Sequence, residues 1–131
     1  MLRRLILSAA DSPGVQRFVG NYGMRLGASR FVAGETLDEA IATLRRLNER
    51  GLRTNTTLLG EHVRDAAEAS AVVRIYEEVL RRIETERLQT NVALKLTHLG
   101  VTLDEELGYA NVEHLVAEAA RRGNFIRIDM E

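Results

Sequence analysis

Apolar residues recur along this chain with two alternating periods. Over 36–50, Leu37, Ala40, Ile41, Leu44 and Leu47 fall on one helical face. Thr36 followed by Glu39 is a capping box at that helix start, and Gly51 closes the far end. Over 65–87, Ala69, Val72, Val73, Tyr76, Val79, Leu80 and Ile83 form a second stripe. Over 104–122, Leu107, Val112, Leu115, Val116 and Ala119 form a third, stopped by Gly123. Between the helices the period drops to two. Short β-rich runs at 30–33, 52–59, 90–97 and 125–130 predict strands. The order is strand–helix three times, then a strand, which implies a parallel sheet with helical crossovers.

Residues 12–29 follow neither period cleanly. They hold Pro13, Gly14, Gly20, Gly23 and Gly27 among Val15, Phe18, Val19, Tyr22 and Leu26, which suggests one or two short, glycine-interrupted helices. The chain therefore divides into an N-terminal helical segment, 1–29, and an α/β segment, 30–131. The leading MLRRLILSAAD resembles a signal peptide in charge but has too short an apolar run. An amphipathic N-terminal segment fits it better. No stretch approaches the ~20 apolar residues of a spanning helix.

Strand alternation decides where the charges go. Val92, Leu94 and Leu96 share one side of the third strand, with Ala93, Lys95 and Thr97 on the other. In the fourth, Ile126, Ile128 and Met130 oppose Phe125, Arg127 and Asp129. In the second, Thr54, Thr56 and Leu58 oppose Arg53, Asn55 and Thr57. With the apolar rows of the third and fourth strands against the helices, Lys95, Arg127 and Asp129 share one surface. Unpaired charge costs several kcal/mol in an apolar core. A barrel mouth that binds a charged ligand accommodates it, as does a solvated sheet face or a core ion pair.

Composition narrows the chemistry. The 131 residues carry a net charge of −1, with 45% hydrophobic and 28% charged residues. That is an ordinary globular balance with no basic excess for nucleic acid. The absence of cysteine removes disulfides, thiol nucleophiles and thiolate metal sites. His62, His98 and His114 lack metal-ligand spacing, so no metal is expected. His114 is expected to face solvent, whereas His98 lies near a strand end where a ligand could reach it. Neither GxGxxG nor a Walker lysine motif is present, which disfavours a Rossmann or P-loop domain. Clusters such as Glu77-Glu78 and Arg81-Arg82 read as solvated helix faces.

Four segments in order resemble the monofunctional bacterial proline dehydrogenase family. They are Arg30-Phe31-Val32-Ala33-Gly34-Glu35-Thr36, Leu59-Gly60-Glu61, Leu94-Lys95-Leu96-Thr97-His98-Leu99-Gly100, and Gly123-Asn124-Phe125-Ile126-Arg127-Ile128-Asp129-Met130-Glu131. The resemblance is collinear from about residue 5 onward. It implies a distorted (βα)8 TIM-like barrel with FAD, oxidising L-proline to 1-pyrroline-5-carboxylate and passing electrons to a quinone-type acceptor. Lys95 would then bind the substrate carboxylate, and Asp129 would be the catalytic-site aspartate that orders side chains around substrate and flavin. Glu61 would gate the pocket by pairing with an arginine from a later loop, with Arg127 in a supporting role. Thr57-Leu58 stand where many members have Asp-His.

A full barrel needs ~250 residues. This chain would supply the N-terminal helices and about four parallel strands, a partial barrel. Most flavin contacts and the family's carboxylate-binding arginines would lie in the absent half. The polypeptide is therefore expected to be a fragment, inactive alone. The resemblance implies a cytoplasmic enzyme, with peripheral association at the inner face of the membrane left open. A small α/β ligand-binding module and a piece of another (βα)8 enzyme remain as alternatives.

Overall fold

The computed structural model describes residues 32–130. Two compact units divide the chain at Ala40/Ile41. The boundary expected at 29/30 lies outside the described residues.

In the first unit the described residues open a helix, α1 (Leu37–Glu49). The capping box forms as the sequence predicts. Glu39 Nα donates to Thr36 Oγ1 at 3.3 Å, and Glu39 Oε2 accepts from the backbone of Glu35 at 2.9 Å and Thr36 at 3.2 Å. Those amides serve the helix start and are not available to a sheet ladder. Val32 and Ala33, of the expected first strand, lie outside any strand. Arg30 and Phe31, the rest of the expected first strand, fall outside the described residues. The four expected strands become three among the described residues.

In the second unit, α1 continues and buries Ile41 and Leu44. It is followed by β1 (Thr54–Thr56), α2 (Ala66–Thr85), β2 (Thr90–Lys95), a 3-10 turn (Thr97–Leu99), α3 (Glu105–Arg121) and β3 (Ile126–Asp129). The strands form one parallel sheet in the order β1-β2-β3. Asn48 ties α1 to two loops: its Nδ2 donates to Leu52 O at 2.9 Å, and its Oδ1 accepts from Gln89 N at 2.7 Å.

β1 is shorter than the periodicity predicts because the Tyr76 hydroxyl takes its backbone. Leu58 N donates to Tyr76 Oη at 3.2 Å, and Thr57 Oγ1 lies 3.3 Å from the same atom. β2 ends at Lys95 because Leu96 turns helical (φ −62°, ψ −37°) into the 3-10 turn.

The core lies between the sheet and α2 and α3. Val72, Val73, Tyr76, Leu80 and Ile83 of α2 meet Val92 and Leu94 of β2 and Leu115 and Ala119 of α3. Both long helices are capped by aspartate: Asp65 accepts from Glu68 N at 2.8 Å, and Asp104 from Leu107 N at 3.0 Å. Two apolar assignments need correction. Val116 is 44% exposed, because Leu115 and Ala119, one turn apart, set the buried line of α3 and leave Val116 beside it. Ile128 and Met130 are exposed, and on that row of β3 Ile126 is the residue that packs on the core.

Helix α3 approaches the turn before it through Gly108. A Cβ there would sit 2.6 Å from Val101 Cα and 2.8 Å from Val101 N, backbone atoms that cannot rotate away. Gly108→Ala would gain about 1 kcal/mol of helix propensity. Overpacking costs about 1–3 kcal/mol, and rigid backbone puts this site at the upper end. The expected result is a net loss of about 2 kcal/mol, read from a urea unfolding curve. A variant as stable as the parent would show that the turn yields freely.

Candidate active site

Parallel pairing settles the placement of the charged residues. The β2–β3 register sets Ala93 against Arg127, Leu94 against Ile128 and Lys95 against Asp129. Paired residues of parallel strands point to the same side, and successive residues alternate. Lys95, Arg127 and Asp129 therefore occupy one face, opposite buried Val92 and Leu94. Lys95 and Asp129 are direct register partners at the C-terminal ends of adjacent strands.

The same face carries a polar ladder across all three strands. Asn55 Nδ2 donates to Asn91 Oδ1 at 2.7 Å, and Arg127 Nε donates to the same oxygen at 2.8 Å. The Arg127 guanidinium lies 5.2 Å from the centroid of the Phe125 ring. A fixed planar donor results, with its apolar side on an aromatic ring.

Lys95 is drawn from the other direction by the β1–α2 loop. Its Nζ lies 3.1 Å from Glu61 Oε1, with the lysine side chain 21% and the glutamate 61% exposed. An ion pair this open is worth about 0–1 kcal/mol, so the glutamate holds the ammonium lightly. The resemblance implies an arginine partner for Glu61; among the described residues its partner is Lys95.

His98 is buried in the 3-10 turn, with its ring close to Gly60, the residue before Glu61. Burial pushes its imidazole below the ordinary value of 6.5; the nearby Lys95 charge acts in the same direction and Glu68 opposes it. Among the described residues its buried Nδ1 has no hydrogen-bond partner. His62 is exposed. His114 faces outward, with its Nε2 2.6 Å from Glu77 Oε1 on the helix pair α2–α3. Glu118 completes a cluster whose ligand-type atoms lie within 4.8 Å of one another. Both Glu118 oxygens already accept from arginine, one from Arg121 and the other from Arg122 at 3.2 Å.

A groove of about 530 Å³ lies at the opposite end of the strands, between Arg53, Arg87, Asn91 and Phe125. In parallel α/β folds chemistry is placed at the C-terminal strand ends, which here carry Lys95 and Asp129.

Strand alternation in the sequence put Lys95, Arg127 and Asp129 on one face, and the β2–β3 register has them there. The Asn55–Asn91–Arg127 ladder and the close approach of Gly60 to the His98 ring were not anticipated. Asparagine is depleted in strands, and two of them on the row that carries Lys95 and Arg127 were a usable signal.

A family model described as proline dehydrogenase matches residues 40–131. Proline dehydrogenase 1 of Bacillus subtilis (strain 168) is 35% identical over 131 residues, covering 100% of this chain and 43% of that protein. Proline dehydrogenase of Deinococcus radiodurans is 31% identical over 137 residues, again covering 100% of this chain and 43% of the relative. The bifunctional protein PutA of Escherichia coli (strain K12) is 36% identical over 78 residues, 60% of this chain and 6% of that protein. The chain thus spans less than half the length of the curated relatives it matches.

Proposed function

Because this chain belongs to the proline dehydrogenase family, we propose that it supplies part of a site that oxidises L-proline to 1-pyrroline-5-carboxylate within a (βα)8 barrel. The observation that carries this reading is the pairing of Lys95 with Asp129 on one face, at the C-terminal ends of adjacent parallel strands. A lysine ammonium is a compact charge suited to a substrate carboxylate. Asp129, one strand away, sets the frame in which that charge is held. Glu61 already presents a carboxylate to Lys95 at 3.1 Å, and this marks where the carboxylate of proline would bind. The loop carrying Glu61 would have to give way as substrate enters, which suits a gate.

Proline oxidation takes a hydride from the ring carbon next to nitrogen, and FAD is the acceptor we propose. The described residues do not fit the whole cofactor. They offer amides and cations on the sheet face but no glycine-rich cradle for a pyrophosphate. We assign those contacts to the part of the family's length that this chain does not span. The work of the chain's own residues is to anchor the carboxylate and fix the orientation of the ring. A quinone-type acceptor at a membrane surface belongs to the same proposal by family resemblance. Among the described residues no helix is long and apolar enough to cross a membrane.

Complementation tests the reading. The chain is purified alone, and also co-expressed with the remaining part of the Bacillus relative. Alone, it is expected to be colourless and unable to reduce a dye on proline addition. The complemented pair is expected to be yellow and to reduce the dye in proportion to proline. A folded, flavin-loaded pair indifferent to proline would overturn the function. A yellow chain that turns over proline by itself would overturn the division of the site.

A further inference from the structure

We infer that His98 is a positioning residue, its buried imidazole forming the seat on which the Gly60–Glu61 turn rests and thereby holding the Glu61 carboxylate on Lys95. The consequence for proline entry rests on the function proposed above; the seat itself does not.

Gly60 packs closely against the ring. A Cβ at that position would fall 2.5 Å from His98 Cε1, 2.6 Å from Nε2 and 3.2 Å from Nδ1. Its φ of +147° is also one that side chains disfavour. Only glycine lets the backbone come this close.

The ring itself is fixed from below. The 3-10 turn follows β2 directly, Leu99 is fully buried, and its carbonyl accepts from Asn111 Nδ2 of α3 at 2.9 Å. The loop is pinned on either side of the contact. Leu58 N is held by Tyr76, Val63 is buried in the core, and Arg64 N donates to Glu68 at 2.7 Å. Between those pins, Gly60 on His98 and Glu61 on Lys95 are the recorded supports. The imidazole therefore sets the height at which Glu61 meets the ammonium.

The seat requires a neutral ring. In the imidazolium both ring nitrogens are N–H donors, and Nδ1 is buried with no hydrogen-bond partner among the described residues. The charge of Lys95 on β2 disfavours the proton, whereas that of Glu68 on α2 favours it. Burial and Lys95 prevail, so the proton is bound below 6.5 in the folded chain. The unfolded chain binds that proton more readily, so His98 contributes its stability above 6.5. The contribution falls as pH drops through that value and levels off below the folded-state midpoint. An imidazolium must seek water, which removes it from beneath Gly60 and releases Glu61.

The test uses nuclear magnetic resonance on the full 131-residue chain, with neither proline nor flavin present. The Glu61 side-chain carboxyl shift and the His98 Cε1–H shift are followed against pH. In the parent chain the Glu61 shift is expected to step at the His98 midpoint. In His98→Gln, which keeps a planar polar group but cannot titrate there, that step should vanish while the pair persists. In His98→Ala the seat is gone, and the Gly60 amide should exchange at least about tenfold faster, as expected for a local opening. Should His98→Ala fail to fold, Gly60→Ala lifts the turn off an unaltered ring and should produce the same loss. A folded His98→Ala or Gly60→Ala chain whose Glu61 signal matches the parent would overturn the inference. So would an unchanged Glu61 step in His98→Gln. Either failure leaves the family function standing, and a complemented pair indifferent to proline would leave the seat standing.

Discussion

Replacing Lys95 with methionine is expected to weaken proline recognition by about 10- to 100-fold. Methionine keeps most of the aliphatic stem and removes the charge, so packing changes little. A charge-assisted hydrogen bond contributes about 1.5–3 kcal/mol, and each 1.4 kcal/mol is roughly a factor of ten. The upper part of that range applies where water is excluded, and Lys95 is only 21% exposed even with Glu61 at an open edge. The loss should fall on KM for proline in the complemented enzyme, while the visible spectrum of the bound flavin stays unchanged. A KM within twofold of the parent would mean that the substrate carboxylate is anchored elsewhere. A colourless variant would mean that Lys95 serves the cofactor instead.

Leu94→Ala should be the most damaging conservative change to the second unit's core. Leu94 is fully buried in the central strand, between Ala93 and Lys95 of the site face, and packs in the cluster built by α2 and α3. Truncating such a leucine costs about 2–5 kcal/mol, part transfer and part cavity. Here about 3 kcal/mol is expected, because neighbours such as Val92, Leu115 and Ala119 are themselves fully buried and have little room to collapse. A unit of this size holds only about 5–10 kcal/mol in all. The melting temperature, followed by circular dichroism, should drop by roughly 12–24 °C. Leu103→Ala, at a residue 42% exposed, should shift it far less and serves as the control. A drop of only a few degrees for Leu94→Ala would show that β2 is not central to the core.

The periodic parts of this molecule were legible because periodicity depends on local geometry. The α2 stripe, from Ala69 to Ile83, is buried or half-buried throughout, as its 3.6-residue spacing requires. The meeting of Lys95 and Asp129 was legible for the same reason: alternation fixes the face, and parallel pairing brings the strand ends together. Strand limits were not legible. Tyr76, 18 residues away from Leu58, takes the backbone that would have lengthened β1, and no local pattern announces a bond of that range. Ile128 and Met130 continue a strand alternation, but only Ile126 on their row meets the helices. The loop contacts were the least legible. Glu61 was singled out as a gate, but its link to Lys95 through a turn resting on His98 depends on a glycine packed against a ring 38 positions further along the chain, a contact that no local pattern encodes.

The spatial sequence of the strands copies their sequence along the polypeptide, β1 beside β2 and β2 beside β3. Each newly synthesised strand therefore finds its neighbour already outside the ribosome. Loop closure spans one intervening helix at a time, so no distant partner must be awaited. Vectorial assembly of this kind lets hydrophobic surface be covered as translation proceeds, and it gives the cell a growing sheet instead of a long-lived unfolded coil.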